Sequence, residues 1–145
     1  MQVTVEIIDI NDNTPRFREP LIELQIIEAA QVGSVYILPT AADDDGPEFG
    51  VQRYELDSPV FGLQTGRKLD DSPEVKLQLR GKLDRETQSE YRLKLIAVDG
   101  GKPVARTGTM TIVVAVLDSN DNRPEFTNQQ YSVRFEQLIL LCANN

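Results

Sequence analysis

Four short segments concentrate carboxylates and side-chain amides: Asp9, Asn11, Asp12 and Asn13; Asp43, Asp44 and Asp45; Asp84 and Glu86 around Arg85; and Asp118, Asn120, Asp121 and Asn122. Asp99 and Glu28 stand singly at the ends of strand-like segments. Ca²⁺ takes six to eight oxygen ligands from carboxylates, amides and backbone carbonyls, and a D-x-D or N-D-N run supplies several on one bendable loop. Two carboxylates about 4 Å apart repel by roughly 4 kcal/mol at an effective dielectric near 20, so converging acids without a cation would splay their loops. The plainer alternative is that D-x-N-D-N shapes a loop through Asx turns, and that 43–45 and 84–86 are solvated acidic turns. An EF-hand fails on spacing. A loop starting at Asp9 or Asp118 carries Thr14 or Arg123 where Gly is required, and Pro20 or Gln129 where the terminal Glu belongs.

Composition narrows the chemistry further. The 145 residues contain no His and one cysteine, Cys142. That removes His-based acid–base work, Ser/His and Cys/His nucleophiles, most zinc sites and any internal disulfide. No enzyme is expected. Lys+Arg 15 against Asp+Glu 23 gives a net charge of -8, the wrong sign for nucleic acid or an anionic membrane surface. The apolar run 138–142 falls far short of the about 20 residues of a membrane helix. The N-terminus shows no signal-peptide pattern, which leaves a cytosolic protein or an excised piece.

An internal repeat decides between the two. Residues 3–17 (VTVEIIDINDNTPRF) match 112–126 (IVVAVLDSNDNRPEF) at an offset of about 109 positions, so a boundary element stands at both ends of a single period. That is the pattern of a unit cut from a longer array, with neighbours expected on both sides. The chain can hold one domain of ordinary size. Between the boundaries, 21–27, 35–38, 52–56, 60–64, 75–79, 91–98 and 107–117 read as strands, punctuated by turn signals at Asp45-Gly46-Pro47, Thr65-Gly66, Asp71-Ser72-Pro73 and Gly100-Gly101-Lys102-Pro103. Tyr91, Leu93, Leu95 and Ala97 alternate with Arg92 and Lys94, as in a half-buried strand. The expectation is an all-β fold: a seven-stranded antiparallel Greek-key β-sandwich of immunoglobulin-like form, with at most a turn or two of helix.

These motifs, in this order, resemble an extracellular repeat of the cadherin superfamily with both flanking linkers. The carriers are D-x-N-D-N at 9–13 and 118–122, LDRE at 83–86, D-x-D at 43–45, AVDGGKP at 97–103 and the strand-end Glu28. The match covers about residues 3–135, and VQRYEL with the long segment before LDRE is more similar to protocadherins than to other cadherins. The implied organisation is 1–16 as the end of a preceding repeat with its calcium-binding linker, 17–117 as the repeat, 118–126 as a second linker, and 127–145 as the start of the next repeat plus a tail. Because a linker precedes it, the repeat is expected not to be the outermost. Within the tail, residues 136–145 match nothing in the family, and Gln137 stands where its glutamate is due.

The resemblance implies three shared Ca²⁺ ions at each junction between repeats. At the upper junction Asn11 (side chain), Asn13 (carbonyl), Asp43, Asp45 and Asp99 would surround the ion nearest this repeat, with the Phe49 carbonyl added. Asp12 would face two ions completed by the preceding repeat. At the lower junction Glu28, Asp84, Glu86, Asp121 and the Ser119 carbonyl would hold two ions, and Asn120 and Asn122 would turn to a third. Asp9 and Asp118 are expected to orient the linkers rather than bind metal, and Asp44 to face solvent.

The implied function is calcium-dependent cell–cell adhesion. Ions would stiffen the ectodomain of a plasma-membrane protein, with adjacent repeats and a homophilic cadherin as partners and the membrane met only through a missing transmembrane part. One alternative is a cadherin-like spacer or force-bearing repeat without adhesive contact. The other is a calcium-requiring carbohydrate-binding β-sandwich, for which no Trp and four Tyr supply little cleft material. Asn13-Thr14-Pro15 is not an N-glycosylation acceptor.

Overall fold

The computed structural model describes residues 3–119 of the chain. Asn120, Asp121, Asn122 and Cys142 lie outside the described residues. Seven strands form: β1 Leu21–Ile27, β2 Val35–Leu38, β3 Val51–Leu56, β4 Phe61–Arg67, β5 Pro73–Leu79, β6 Glu90–Asp99 and β7 Thr107–Leu117. They make a four-stranded sheet in the order β1-β7-β6-β3 and a three-stranded sheet in the order β2-β5-β4. No helix occurs among the described residues.

Period-two alternation gives each sheet one apolar face. From the smaller sheet come Leu38, Phe61, Val75, Leu77 and Leu79; from the larger come Ile26, Leu93, Leu95, Met110, Ile112, Val114 and Val116, and these buried side chains form one core. Each such side chain contributes roughly 1.5–3 kcal/mol by leaving water. Phe61 and Tyr91 meet edge to face across the sheets, with ring centroids 5.4 Å apart.

The strands follow the sequence pattern with two differences. The β4–β5 turn lies at 68–72 and not at Thr65-Gly66, because Gly66 stays in register opposite Glu74 while Asp71 takes the left-handed conformation (φ 61°). The loop closes through the Lys68 amide donating to the Ser72 carbonyl at 2.9 Å. Pro73 opens β5, a position that needs no N–H.

The second difference corrects the all-antiparallel expectation. β1 runs parallel to β7, Leu21 opposite Thr111 through Ile27 opposite Leu117, while β2·β5, β3·β6, β4·β5 and β6·β7 are antiparallel. A chain that enters the sandwich at one end and leaves at the other has its first and last strands running the same way. The parallel pairing sets the residue after β1, Glu28, beside the residues after β7: the Glu28 amide donates to the Leu117 carbonyl at 3.0 Å.

Where the chain enters, Pro15 is fully buried and Arg16 pairs with Ala42 through both main-chain groups, at 2.8 and 2.9 Å. Phe17 packs against Tyr54 with ring centroids 6.3 Å apart. The Tyr54 hydroxyl accepts the Ala41 amide at 3.0 Å. Tyr54→Phe removes that acceptor from a buried N–H, so it is expected to cost about 1 kcal/mol in a urea melt.

Candidate metal centres at the two ends of the repeat

At the upper end, three elements meet. The incoming segment brings Asp9, Asn11, Asp12 and Asn13; the loop between β2 and β3 brings Asp43 and Asp45; the end of β6 brings Asp99. Glycine permits the close approach. A Cβ on Gly101 would collide with the Asn11 side-chain amide and come within 3.1 Å of Asp99 Oδ1. Asp45 is tied to the linker: the Asn13 amide donates to its two carboxylate oxygens at 3.1 and 3.2 Å, and Asn13 Nδ2 donates to Oδ1 at 2.6 Å. Desolvation pushes the Asp45 carboxyl up, but the hydrogen bonds of Asn13 and Asp12 outweigh it, and the group stays below its ordinary value.

Asp99 is 2% exposed. Its Oδ1 accepts the amides of Gly101 at 3.0 Å and Arg106 at 2.8 Å. Its Oδ2 has no partner, and neither do two other buried acceptors, Asp43 Oδ2 and Asn11 Oδ1. Buried polar atoms in folded proteins are nearly always satisfied, so three orphans at one end call for a donor or a cation. All are hard oxygen atoms, the set that suits Ca²⁺ over softer metals. The donor set therefore fits the ion that the linker motif implies.

The other upper residues are placed as follows. Asp9 Oδ2 accepts the Gly46 amide at 2.7 Å, a linker-orienting contact. Asp44 is exposed and Asp12 is exposed. The Phe49 carbonyl accepts the Gly100 amide at 3.2 Å. The Asn13 carbonyl accepts Arg106 Nη1 at 3.0 Å, and the same nitrogen bonds the Asp12 carbonyl. Arg106 was not anticipated: an arginine more than 90 positions from the linker carries no local signal of the contact.

At the lower end, the carboxylate oxygens of Glu28, Asp84 and Glu86 lie within 4.8 Å of one another. Glu28 is the hub. Its Oε1 accepts the Ser119 amide at 3.0 Å and hydroxyl at 3.1 Å, and its Oε2 accepts the Arg85 amide at 3.1 Å. Those bonds, the Ser119 amide foremost and then Arg85, hold its carboxyl below the usual value. Asp84 is held down by the Thr87 hydroxyl (2.7 Å) and amide (3.1 Å). Both groups therefore remain charged at neutral pH. Arg85 reaches Glu86 at 3.0 Å and Asp118 at 3.6 Å. Ser119 thus meets Glu28 through its amide and hydroxyl; its carbonyl is the atom expected to face an ion. Thr87 and the Ser119 hydroxyl are supporting groups that motif reasoning passed over, and a T-x-x or S-x pattern next to acids is too common to single out.

The sandwich that carries these two ends is similar in sequence and fold to known proteins. Residues 22–117 match the Cadherin domain family. Protocadherin gamma-B5 of Homo sapiens is 44% identical over 138 residues, covering 94% of this chain and 15% of that protein. Protocadherin-19 of Danio rerio is 41% identical over 132 residues, covering 90% of this chain and 12% of that one. The chain thus spans less than a sixth of the length of these curated relatives. The crystal structure of protocadherin gamma C5 EC1-3 superposes with a TM-score of 0.76 at 44% identity, over 80% of this chain and 37% of that one. Mouse cadherin-23 EC22-24 gives 0.71 at 32% identity, over 85% and 38%. The chain belongs to the cadherin family, and its relatives are protocadherins.

Proposed function

We propose that this chain is a calcium-dependent adhesion module, one repeat of an ectodomain on the outside of the plasma membrane, in which ions at both ends brace it against its neighbours. Residues 1–16 serve as the end of the preceding repeat with its linker, 17–117 as the repeat, 118–126 as the second linker and 127–145 as the start of the next repeat plus a tail outside the family pattern. The upper ion is held by Asn11, Asn13, Asp43, Asp45 and Asp99, with Asp12 turned to the preceding repeat. The lower ions are held by Glu28, Asp84, Glu86, Ser119 and Asp121, with Asn120 and Asn122 turned to the next. Bound Ca²⁺ supplies positive charge where the acids of three segments meet; the chain's own part is to fix those segments in place. The partners are adjacent repeats and a homophilic cadherin on another cell.

The observation that carries this reading is the set of buried oxygens without donors on Asn11, Asp43 and Asp99. Strand pairing supports it at the other end, since the parallel β1·β7 register delivers Glu28 to the exit of the chain. No described helix is long and apolar enough to cross a membrane.

The test is a thermal melt of the 145-residue chain in chelator, in excess Mg²⁺ and in rising Ca²⁺, beside an Asp43→Ala/Asp45→Ala variant. At free Ca²⁺ 100-fold above Kd, one site adds about 2.7 kcal/mol to the folded state, a rise of several degrees in midpoint. Mg²⁺, which demands a small octahedral shell, is expected to do much less. The double variant should lose most of the Ca²⁺ increment. A wild-type midpoint that ignores Ca²⁺, both here and in a chain lengthened by one repeat at each end, sinks the proposal.

A further inference from the structure

Arg106 sits directly before β7 with its main chain pinned to Asp99: the Arg106 amide donates to Asp99 Oδ1 at 2.8 Å, and the Asp99 amide donates to the Arg106 carbonyl at 3.1 Å. From that anchor the side chain crosses to the linker, where Nη1 bonds the main-chain carbonyls of both Asp12 and Asn13. The surroundings are acidic. Asp9, Asp12, Asp43, Asp44, Asp45 and Asp99 belong to the segments that meet at this end, and carboxylates drawn together repel. A guanidinium stays charged at every physiological pH and presents its donors in a rigid fork, so a two-carbonyl contact fixes direction as well as charge.

We propose that Arg106 is a positioning residue for the upper linker, a cation built into the chain that seats residues 9–13 on the carboxylate-rich end before any metal ion arrives. Two other contacts close the same seam, Gly46 amide to Asp9 and Asn13 amide to Asp45. Each is a charge-assisted bond that requires the linker to be in place. Arg106 is the member of the seam that brings positive charge. It also leaves the ligand usable, because a carbonyl oxygen has two lone pairs and can accept one N–H while facing an ion. With the linker already seated, a cation binds without the cost of ordering it. The linker segment therefore keeps its seat on this repeat when calcium falls, and the upper end binds calcium more tightly when it returns. The second consequence rests on the calcium reading above; the first does not.

The experiment uses the full chain with Arg106→Ala and Arg106→Lys, read first by amide hydrogen exchange in chelator. The amides of Asn13 and Gly46 report the seam, while those of Thr111 and Val116, bonded to Pro20 and Ser89, report the sheet. Arg106→Ala is expected to speed exchange at Asn13 and Gly46 at least tenfold with Thr111 and Val116 unchanged, and Arg106→Lys to recover part of the protection. In a Ca²⁺ titration, Arg106→Ala is expected to raise Kd threefold or more. Unchanged exchange at Asn13 and Gly46 overturns the proposal, as does equal acceleration in the sheet, which makes Arg106 a general stabiliser. Tighter Ca²⁺ binding in Arg106→Ala overturns it too, since charge repulsion then outweighs positioning. A flat titration for wild type and variants removes the metal reading, and the chelator arm still decides the seam.

Discussion

Asp99→Asn is expected to raise the midpoint of unfolding in chelator and lower it in calcium. The side chain is 2% exposed, with Oδ1 engaged by two amides and Oδ2 engaged by none. Asparagine keeps an oxygen for the Gly101 and Arg106 amides. It removes the charge and turns the orphan acceptor into a donor, at an end where Asn11 Oδ1 and Asp43 Oδ2 lack one. Relieving a buried unsatisfied group is worth about 1–3 kcal/mol. With calcium the balance is expected to invert, because the proposed site loses a charged oxygen ligand. A 100-fold loss of affinity removes about 2.7 kcal/mol, so wild type and variant change rank between buffers. Melting curves in chelator and in saturating calcium read this directly. A variant less stable than wild type in both buffers means Oδ2 already has a partner of its own, and the central support for a cation is gone.

Local pattern and long-range contact contributed differently to what could be read in advance. The alternation in β6 and β7 carries its own faces, since Leu93, Leu95, Met110, Ile112 and Val114 each recur every second residue and all are buried. Those spans were therefore legible from period alone. The two linker copies, the D-x-D and the D-R-E pointed to oxygen chemistry by composition, and the fold brings Asn13 to Asp45 and Glu28 to Asp84 and Glu86. The direction of β1 was not legible. A seven-residue strand looks the same whether its neighbour runs up or down, and the choice follows from where the chain enters and leaves. Arg106 was hidden for a related reason: its partners lie more than 90 positions away, and a lone arginine after a proline loop is ordinary surface in any sequence. The Thr65-Gly66 turn signal misled because a glycine inside a paired strand emits the same local signal as one in a turn.

Gly108→Ala is expected to disable the upper centre although Gly108 is neither a ligand nor near one in sequence. It pairs with Ala97 in the β6·β7 ladder, and the linker passes over it so closely that a Cβ there would overlap the Pro15 carbonyl oxygen and lie 2.8 Å from its carbon. Those are backbone atoms of a fully buried residue and cannot swing aside. The linker must lift. Arg16 is bonded to Ala42 on both main-chain groups, so lifting Pro15 strains the strap that aligns Asn13 on one side with Asp43 on the other. Forcing an extra methyl into a filled space costs about 1–3 kcal/mol, and that loss should be present in chelator. In calcium the gap to wild type should widen, because a displaced Asn13 no longer faces Asp45. Gly66→Ala is the matched control: it adds the same methyl to a paired strand, with no atom within 4 Å of the new carbon. There the stiffer backbone of the unfolded chain predicts a gain of about 0.4–1 kcal/mol and an unchanged calcium increment. If the two alanines behave alike, the linker is not seated on β7 and its position owes nothing to the sheet. If only Gly108→Ala loses the calcium response, the strand itself is the base on which the junction is built.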